Sequence, residues 1–175
     1  MRPALSDEAL RALLEELEQR LAESGISIAL RPARHAGEVA AALEHAGLPA
    51  RPELVVWWSW HDGADGEVVQ SWRLLALHDA LELRRVYAAD YAAAGAADRW
   101  PDAWVPILRF DGRPLLCADA AVGTVHVEDD GFPEPAPPQF ASLADLAETL
   151  LLVVDGGLTP ATPGLDPRAR RLWWW

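Results

Sequence analysis

Three short apolar segments between residues 104 and 128 constrain the fold more than any other part of the sequence. They read WVPILRF, LLCAD and GTVHVE, and turn residues such as DGRP stand between them. Apolar runs bounded by turn residues in this way are typical of antiparallel strands. The upstream segment SWRLLAL has a similar character and predicts another strand. We therefore expect a mostly antiparallel sheet.

Helical patterns precede and follow these strands. Leucines spaced three and four residues apart predict a first helix that begins after Ser6 and ends near Gly25. Two later helices are expected to start at capping-box patterns, in which a capping residue is followed three positions later by an acid. One of them is expected over residues 79–94 with Asp79 as the cap, and the other from Ser142 to about 156. A third helix, without such a pattern, is expected over residues 36–47.

The length and the order of the elements define the expected domain. With 175 residues the chain has the size of one domain, long enough to bury a real core. The expected fold class is α+β, a single domain with a mostly antiparallel sheet flanked by helices over residues 1–157. Residues 158–175 have no periodicity and end in three tryptophans, and we expect them to be a flexible tail.

The stretch VVWWSWHDG, Val55 to Gly63, holds three tryptophans in four positions followed by a histidine and an aspartate. The valines and tryptophans favour a strand by propensity, whereas Pro52 followed by Glu53 favours the first turn of a helix. The residues themselves leave both readings open.

The candidate chemical groups in the sequence have structural explanations. His61-Asp62 and His78-Asp79 could in principle contribute to a metal site, but turn formation and helix capping account for both aspartates. Cys117 lies in an apolar strand, where a thiol is inert. The sequence has no phosphate-binding glycine loop and no dinucleotide fingerprint. We expect no catalytic residues, no metal and no cofactor. A small metal-dependent hydrolase using His61 and Asp62 is the distant alternative.

The charge of the chain predicts which partners it avoids. The net charge is -12, and residues 101–157 hold ten acids and two arginines, a balance of -8. Such a surface repels nucleic acid and attracts basic partners.

The chain has no apolar run long enough to span a bilayer and no signal-peptide pattern, so we expect a cytoplasmic protein that does not bind membranes. The oligomeric state is not indicated.

The order and spacing of several motifs over residues 26–157 resemble the SUKH superfamily, which groups fungal cell-wall assembly regulators with bacterial toxin-immunity proteins. GLPARPELVVWWSWHDG resembles the opening signature of that family, and the strand segments described above resemble its later signatures. Arg113-Pro114 departs from the Gly-Asp pair of many bacterial members. The matching positions are Leu48, Pro49, Asp62, Gly63, Trp104, Asp119 and Gly123.

The resemblance implies a SUKH-like fold, a helix over residues 52–61 closed by HDG, and a function in binding rather than catalysis. It implies an immunity protein that binds and neutralises a toxin domain, which we expect to be a basic nuclease. A regulatory scaffold is the alternative. We expect at least one of the three tryptophans to be partly exposed beside acidic residues, as in a binding hot spot. The predicted partner-binding residues are Trp57, Trp58, Trp60, Asp65, Glu67, Glu128, Asp129, Asp130 and Glu134.

Overall fold

The structure, a computed structural model, describes residues 7–25, 28–69, 71–111, 114–128, 137–156 and 166–172. Its helices and strands form a single α+β domain, as predicted. None of the helices in the described ranges is long and apolar enough to cross a bilayer. The helices are α1 (Asp7–Glu23), α2 (Ala36–His45), α3 (Pro52–Trp60), α4 (Leu77–Ala93), α5 (Leu143–Gly156) and α6 (Pro167–Arg170). The strands are β1 (Ala29–Leu30), β2 (Ala64–Asp65), β3 (Trp72–Leu74), β4 (Trp104–Phe110), β5 (Leu115–Asp119) and β6 (Val125–Glu128).

The main sheet is four-stranded and antiparallel, in the order β3-β4-β5-β6. This confirms the three strands predicted from turn residues between 104 and 128. The strand predicted from SWRLLAL is present but covers only three residues. A second, two-stranded antiparallel sheet joins β1 to β2. The register of β4 against β5 shifts between Pro106 and Leu108. Proline has no N–H to donate to a ladder, which explains an irregularity at this point.

Alternate residues of β5 face two different apolar clusters. Leu116 and Ala118 belong to the large core, which lies between the sheet and helices α1, α3 and α5. Leu115 and Cys117 point to the opposite face, where α4 covers a smaller cluster that contains Trp104. Trp104 is buried in this cluster, with 4% of its surface exposed. The first four residues of β5 are buried on both faces of the sheet, and all four are apolar.

The first and last long helices pack against each other along leucine-rich faces. Four leucines of α1, spaced three or four residues apart, are buried as their periodicity predicts. The capping box of α5 is also confirmed, since the Ser142 hydroxyl accepts from the Asp145 N–H at 3.1 Å. Burying each leucine contributes about 1.5–3 kcal/mol of hydrophobic free energy. The buried leucines of α1 are Leu10, Leu14, Leu17 and Leu21.

The tryptophan stretch, for which the sequence left strand and helix open, forms helix α3. Pro52 occupies its first turn, where a missing N–H costs nothing. The expectation that one tryptophan is partly exposed is wrong, because Trp57, Trp58 and Trp60 are 1%, 0% and 6% exposed. A helix that is apolar on every side has to be surrounded, and α1 and α2 both pack against this one.

The chain from residue 166 to 172 packs against the core, so the prediction of a flexible tail is wrong for this part. Leu172 and Ala169 are both fully buried in the large core. The carbonyl of Leu172 accepts from the indole N–H of Trp72 at 3.1 Å. Arg171 forms two hydrogen bonds of 2.8 Å with the Asp145 carboxylate. The domain therefore extends beyond residue 157. The tryptophans at 173–175 lie outside the described residues.

Candidate functional site

The Asp62-Gly63 turn connects three elements instead of only closing α3. One Asp62 carboxylate oxygen accepts from the N–H of Leu77 at 2.8 Å, at the start of α4. The other oxygen lies 2.7 Å from Arg34 Nε. Asp62 is therefore the side chain that caps α4. The expected cap, Asp79, lies inside the first turn of that helix and does not cap it.

Gly63 takes the left-handed backbone conformation that its place after Asp62 predicts, with φ of 85°. A Cβ atom at this position would lie 2.5 Å from the backbone nitrogen of Ala76. Glycine is thus required both by the backbone conformation and by the close approach of the residues that lead into α4.

His61 is more enclosed than a surface turn residue. Its side chain is 17% exposed, and Nδ1 lies 2.7 Å from the carbonyl oxygen of Arg31. Nε2 lies 3.2 Å from the Glu18 carboxylate, and the ring packs against Trp60 at 4.9 Å between centroids. These contacts join the end of α3 to α1 and to the segment that follows β1. In the described ranges, no group of three or more His, Cys, Asp or Glu side chains is arranged to hold a metal ion.

The later signature positions also make structural contacts. The Asp119 carboxylate accepts from the N–H groups of Ala121 and Val122, at 2.8 and 3.1 Å, and so shapes the turn after β5. Gly123 has φ of 86°, and a Cβ there would lie 2.8 Å from Glu53 Oε1. Leu48 is buried at the end of α2, whereas Pro49 is exposed.

The acidic surface predicted around residue 128 does not include Glu128. This residue is 5% exposed, and its carboxylate accepts from the Tyr91 hydroxyl at 2.7 Å. A buried carboxylate that accepts from Tyr91 is not available for direct contact with a partner, so the prediction of Glu128 as a partner-binding residue is wrong. Asp129, Asp130 and Glu134 lie outside the described residues.

Cys117 is buried as predicted. Burial is the main cause that raises the pKa of its thiol well above the usual value, and the nearby charge of Glu128 adds to it.

Asp65 and Glu67 are exposed on the surface, as a partner-binding role requires. The Glu67 carboxylate accepts from the N–H of Ser71 at 2.7 Å. One oxygen of Asp65 accepts from two nitrogens of Arg31, at 2.7 and 3.0 Å. The hydrogen bond and the charge of Asp65 raise the pKa of the Arg31 guanidinium. Asp65 is thereby held in a fixed position beside β1.

Asp65 forms part of an open cleft of about 370 Å³ between the small sheet, the start of α4 and the edge of the main sheet. Apolar groups, such as Leu75 and Phe110, line part of it. Its ionised groups come from three separate parts of the chain and are equally divided between the two signs. We call this the charged cleft; its ionised residues are Arg31, Asp65, Asp79, Arg73, Arg109 and Asp111.

Two of these arginines lie directly opposite each other in the sheet. Arg73 of β3 pairs with Arg109 of β4, and Arg109 pairs in turn with Leu115 of β5. Directly paired residues share one face of an antiparallel sheet, so all three lie on the side that α4 covers. Like charges at such positions repel each other. The sequence did not single out these arginines, because only the strand register brings residues 36 positions apart together.

Comparisons with known proteins do not assign the chain to a family. No protein-family model matches the sequence, and no curated protein matches it significantly.

Proposed function

We propose that this chain is a non-catalytic protein-binding domain that works as an immunity protein, and that it binds a basic toxin domain at the charged cleft. The observation that carries the proposal is the cleft itself. Its six ionised side chains stand on elements that the core holds in place, and they lie around an opening accessible from solvent. Fixed charges of both signs favour one orientation of a protein partner and disfavour others.

The roles of other polar residues support a binding function. His61, Asp62 and Asp119 make short contacts that hold helices and turns together. The three tryptophans of α3 are in the core, so they stabilise the domain and do not contact a partner. Asp65 and Glu67 are the predicted binding residues whose exposed positions fit this role. The net charge of -12 would speed the approach of a basic partner over long distances.

The test is co-expression with a toxin domain encoded beside the gene of this chain. Wild-type protein should restore growth of cells that make the toxin and should bind the purified toxin domain. Asp111→Arg introduces a positive charge into the cleft and should weaken binding about tenfold or more. Asp90→Arg makes the same change in net charge on the exposed face of α4, away from the cleft, and is the matched control.

Comparison of the two variants tests where the partner binds, whereas the wild-type protein tests the immunity function itself. Equal affinities for Asp111→Arg and Asp90→Arg would contradict the cleft as the binding surface. If the toxin binds but keeps its activity, the regulatory scaffold becomes the better proposal. If the wild-type chain neither binds nor protects, the immunity function is refuted. Circular dichroism of each variant checks that the fold is retained.

A further inference from the structure

The half of the charged cleft next to β1 and α4 holds one cation, Arg31, and two carboxylates, Asp65 and Asp79. Arg31 lies 2.7 Å from Asp65 and 3.7 Å from Asp79. Its guanidinium thus stands between two carboxylates. This half of the cleft has no positive charge left over for another ligand.

The half formed by β3 and β4 has more cations than anions. Asp111 is its only carboxylate within the described lining, and it lies 3.6 Å from Arg73, beyond ordinary hydrogen-bond distance. The side chain of Arg109 has no hydrogen-bond or ion-pair partner among the described residues. Two guanidinium groups therefore share one carboxylate, which leaves an excess of one positive charge at this position of an otherwise acidic protein.

Strand pairing fixes the spacing of these two cations. Residues directly opposite in an antiparallel pair have Cβ atoms about 4.5–5.5 Å apart. Side chains at that spacing can reach the same anion, and the guanidinium fork matches the two oxygens of a carboxylate. Repulsion between Arg73 and Arg109 would be relieved when an anion binds between them.

We infer that Arg73 and Arg109 form a subsite for one carboxylate, which an Asp or Glu side chain of the bound protein supplies. The origin of the carboxylate rests on the proposed function, whereas the subsite itself does not. A single negative charge balances the excess at this end of the cleft. A phosphate dianion would exceed it, and Asp111 would repel a dianion more strongly than a carboxylate. The subsite gives an acidic side chain on a mostly basic partner a defined place to bind.

The subsite is tested on the free protein by NMR of the arginine Nε–Hε groups during titration with sodium acetate at constant ionic strength. Arg73 and Arg109 signals should shift and saturate, and the Arg109→Gln variant should lose the saturable shift at Arg73. Arg85, exposed on α4 and paired with Glu82, is the internal control. Shifts no larger than those of Arg85 would overturn the inference. So would inorganic phosphate that saturates the site at a tenfold lower concentration than acetate.

A second experiment measures how the subsite contributes to binding of the toxin domain. Arg109→Gln should weaken its binding about tenfold, as expected for loss of a charge-assisted hydrogen bond, and Arg85→Gln should leave it unchanged. Arg109→Glu should be rescued by changing one acidic residue of the toxin to arginine. Saturable acetate binding without toxin binding would support the subsite and refute the proposed function. Tight toxin binding that Arg109→Gln does not alter would overturn the role of the subsite in recognition.

Discussion

Substitution of Gly63 by alanine should destabilise the domain far more than the same change at Gly47. At Gly63 the new Cβ would lie 2.5 Å from the nitrogen and 2.9 Å from the Cα of Ala76, so the backbone has to move. The left-handed conformation itself costs an L-residue about 1–2 kcal/mol. Displacing packed groups adds about 1–3 kcal/mol. Together these give a loss of roughly 3 kcal/mol, or about 6–12 °C in melting temperature for a chain of this size.

Gly47 supplies the matched control. Its φ is 75°, close to that of Gly63, but no heavy atom lies within 4 Å of the position that a Cβ would occupy. Gly47→Ala should therefore cost only the conformational part, about 1–2 kcal/mol. Urea unfolding followed by tryptophan fluorescence measures both variants. Equal losses of stability, within about 0.5 kcal/mol, would refute the steric part of the reasoning.

Three further predictions concern other parts of the core. Trp104→Ala should cost roughly 3–5 kcal/mol because the side chain is buried beneath α4; an unchanged melting temperature would contradict this. Leu172→Ala should cost about 2–5 kcal/mol, and proteolysis that removes residues 166–172 should lower the melting temperature, whereas a detached tail would leave it unchanged. Burial raises the pKa of the Cys117 thiol in the folded protein. Below the unfolded thiol pKa of about 8.5, both the folded and the unfolded chain keep the proton. Above that value only the unfolded chain releases it, so the free energy of unfolding falls as the pH rises. Urea midpoints should thus fall between pH 8 and pH 10 by a smaller amount in Cys117→Ala than in wild type.

Local signals in the sequence were sufficient for much of the fold. The strands between residues 104 and 128 are correctly placed because turn residues bound each one. The helix that follows Ser142 begins where its capping box predicts, and α1 buries the leucines that its periodicity selects. In each case the signal that predicts the element lies in residues only a few positions apart.

The sequence-based predictions are wrong mainly where contacts between residues far apart in sequence decide the structure. Leu172 binds Trp72 across 100 positions, so no local pattern shows that this segment is docked. Asp62 caps a helix that begins 15 residues later, although a plausible cap, Asp79, stands nearer to it in sequence. The burial of α3 did have a signal in the sequence, since PELVVWWSW is apolar around the whole helix.

The candidate site was less accessible to sequence reasoning than the fold. Asp65 is predicted as an acidic residue beside the tryptophans of α3, and the structure places it in the charged cleft. Arg73 and Arg109 belong to two strands whose existence could be predicted, but their pairing depends on register, and a slip of one residue would put one of them on the other face. The charged cleft is therefore a property of the tertiary structure alone.

The position of Leu172 has a consequence for synthesis of the protein. A ribosome makes the chain from the N-terminus, and domains can begin to fold as they emerge. Here, the indole N–H of Trp72 donates to the carbonyl of Leu172, and the carboxylate of Asp145 accepts from the guanidinium of Arg171. Before those residues emerge, the nascent chain keeps part of its apolar core open to solvent and to chaperones. Products of premature termination upstream of Arg171 would thus remain incompletely folded and would be open to proteolysis.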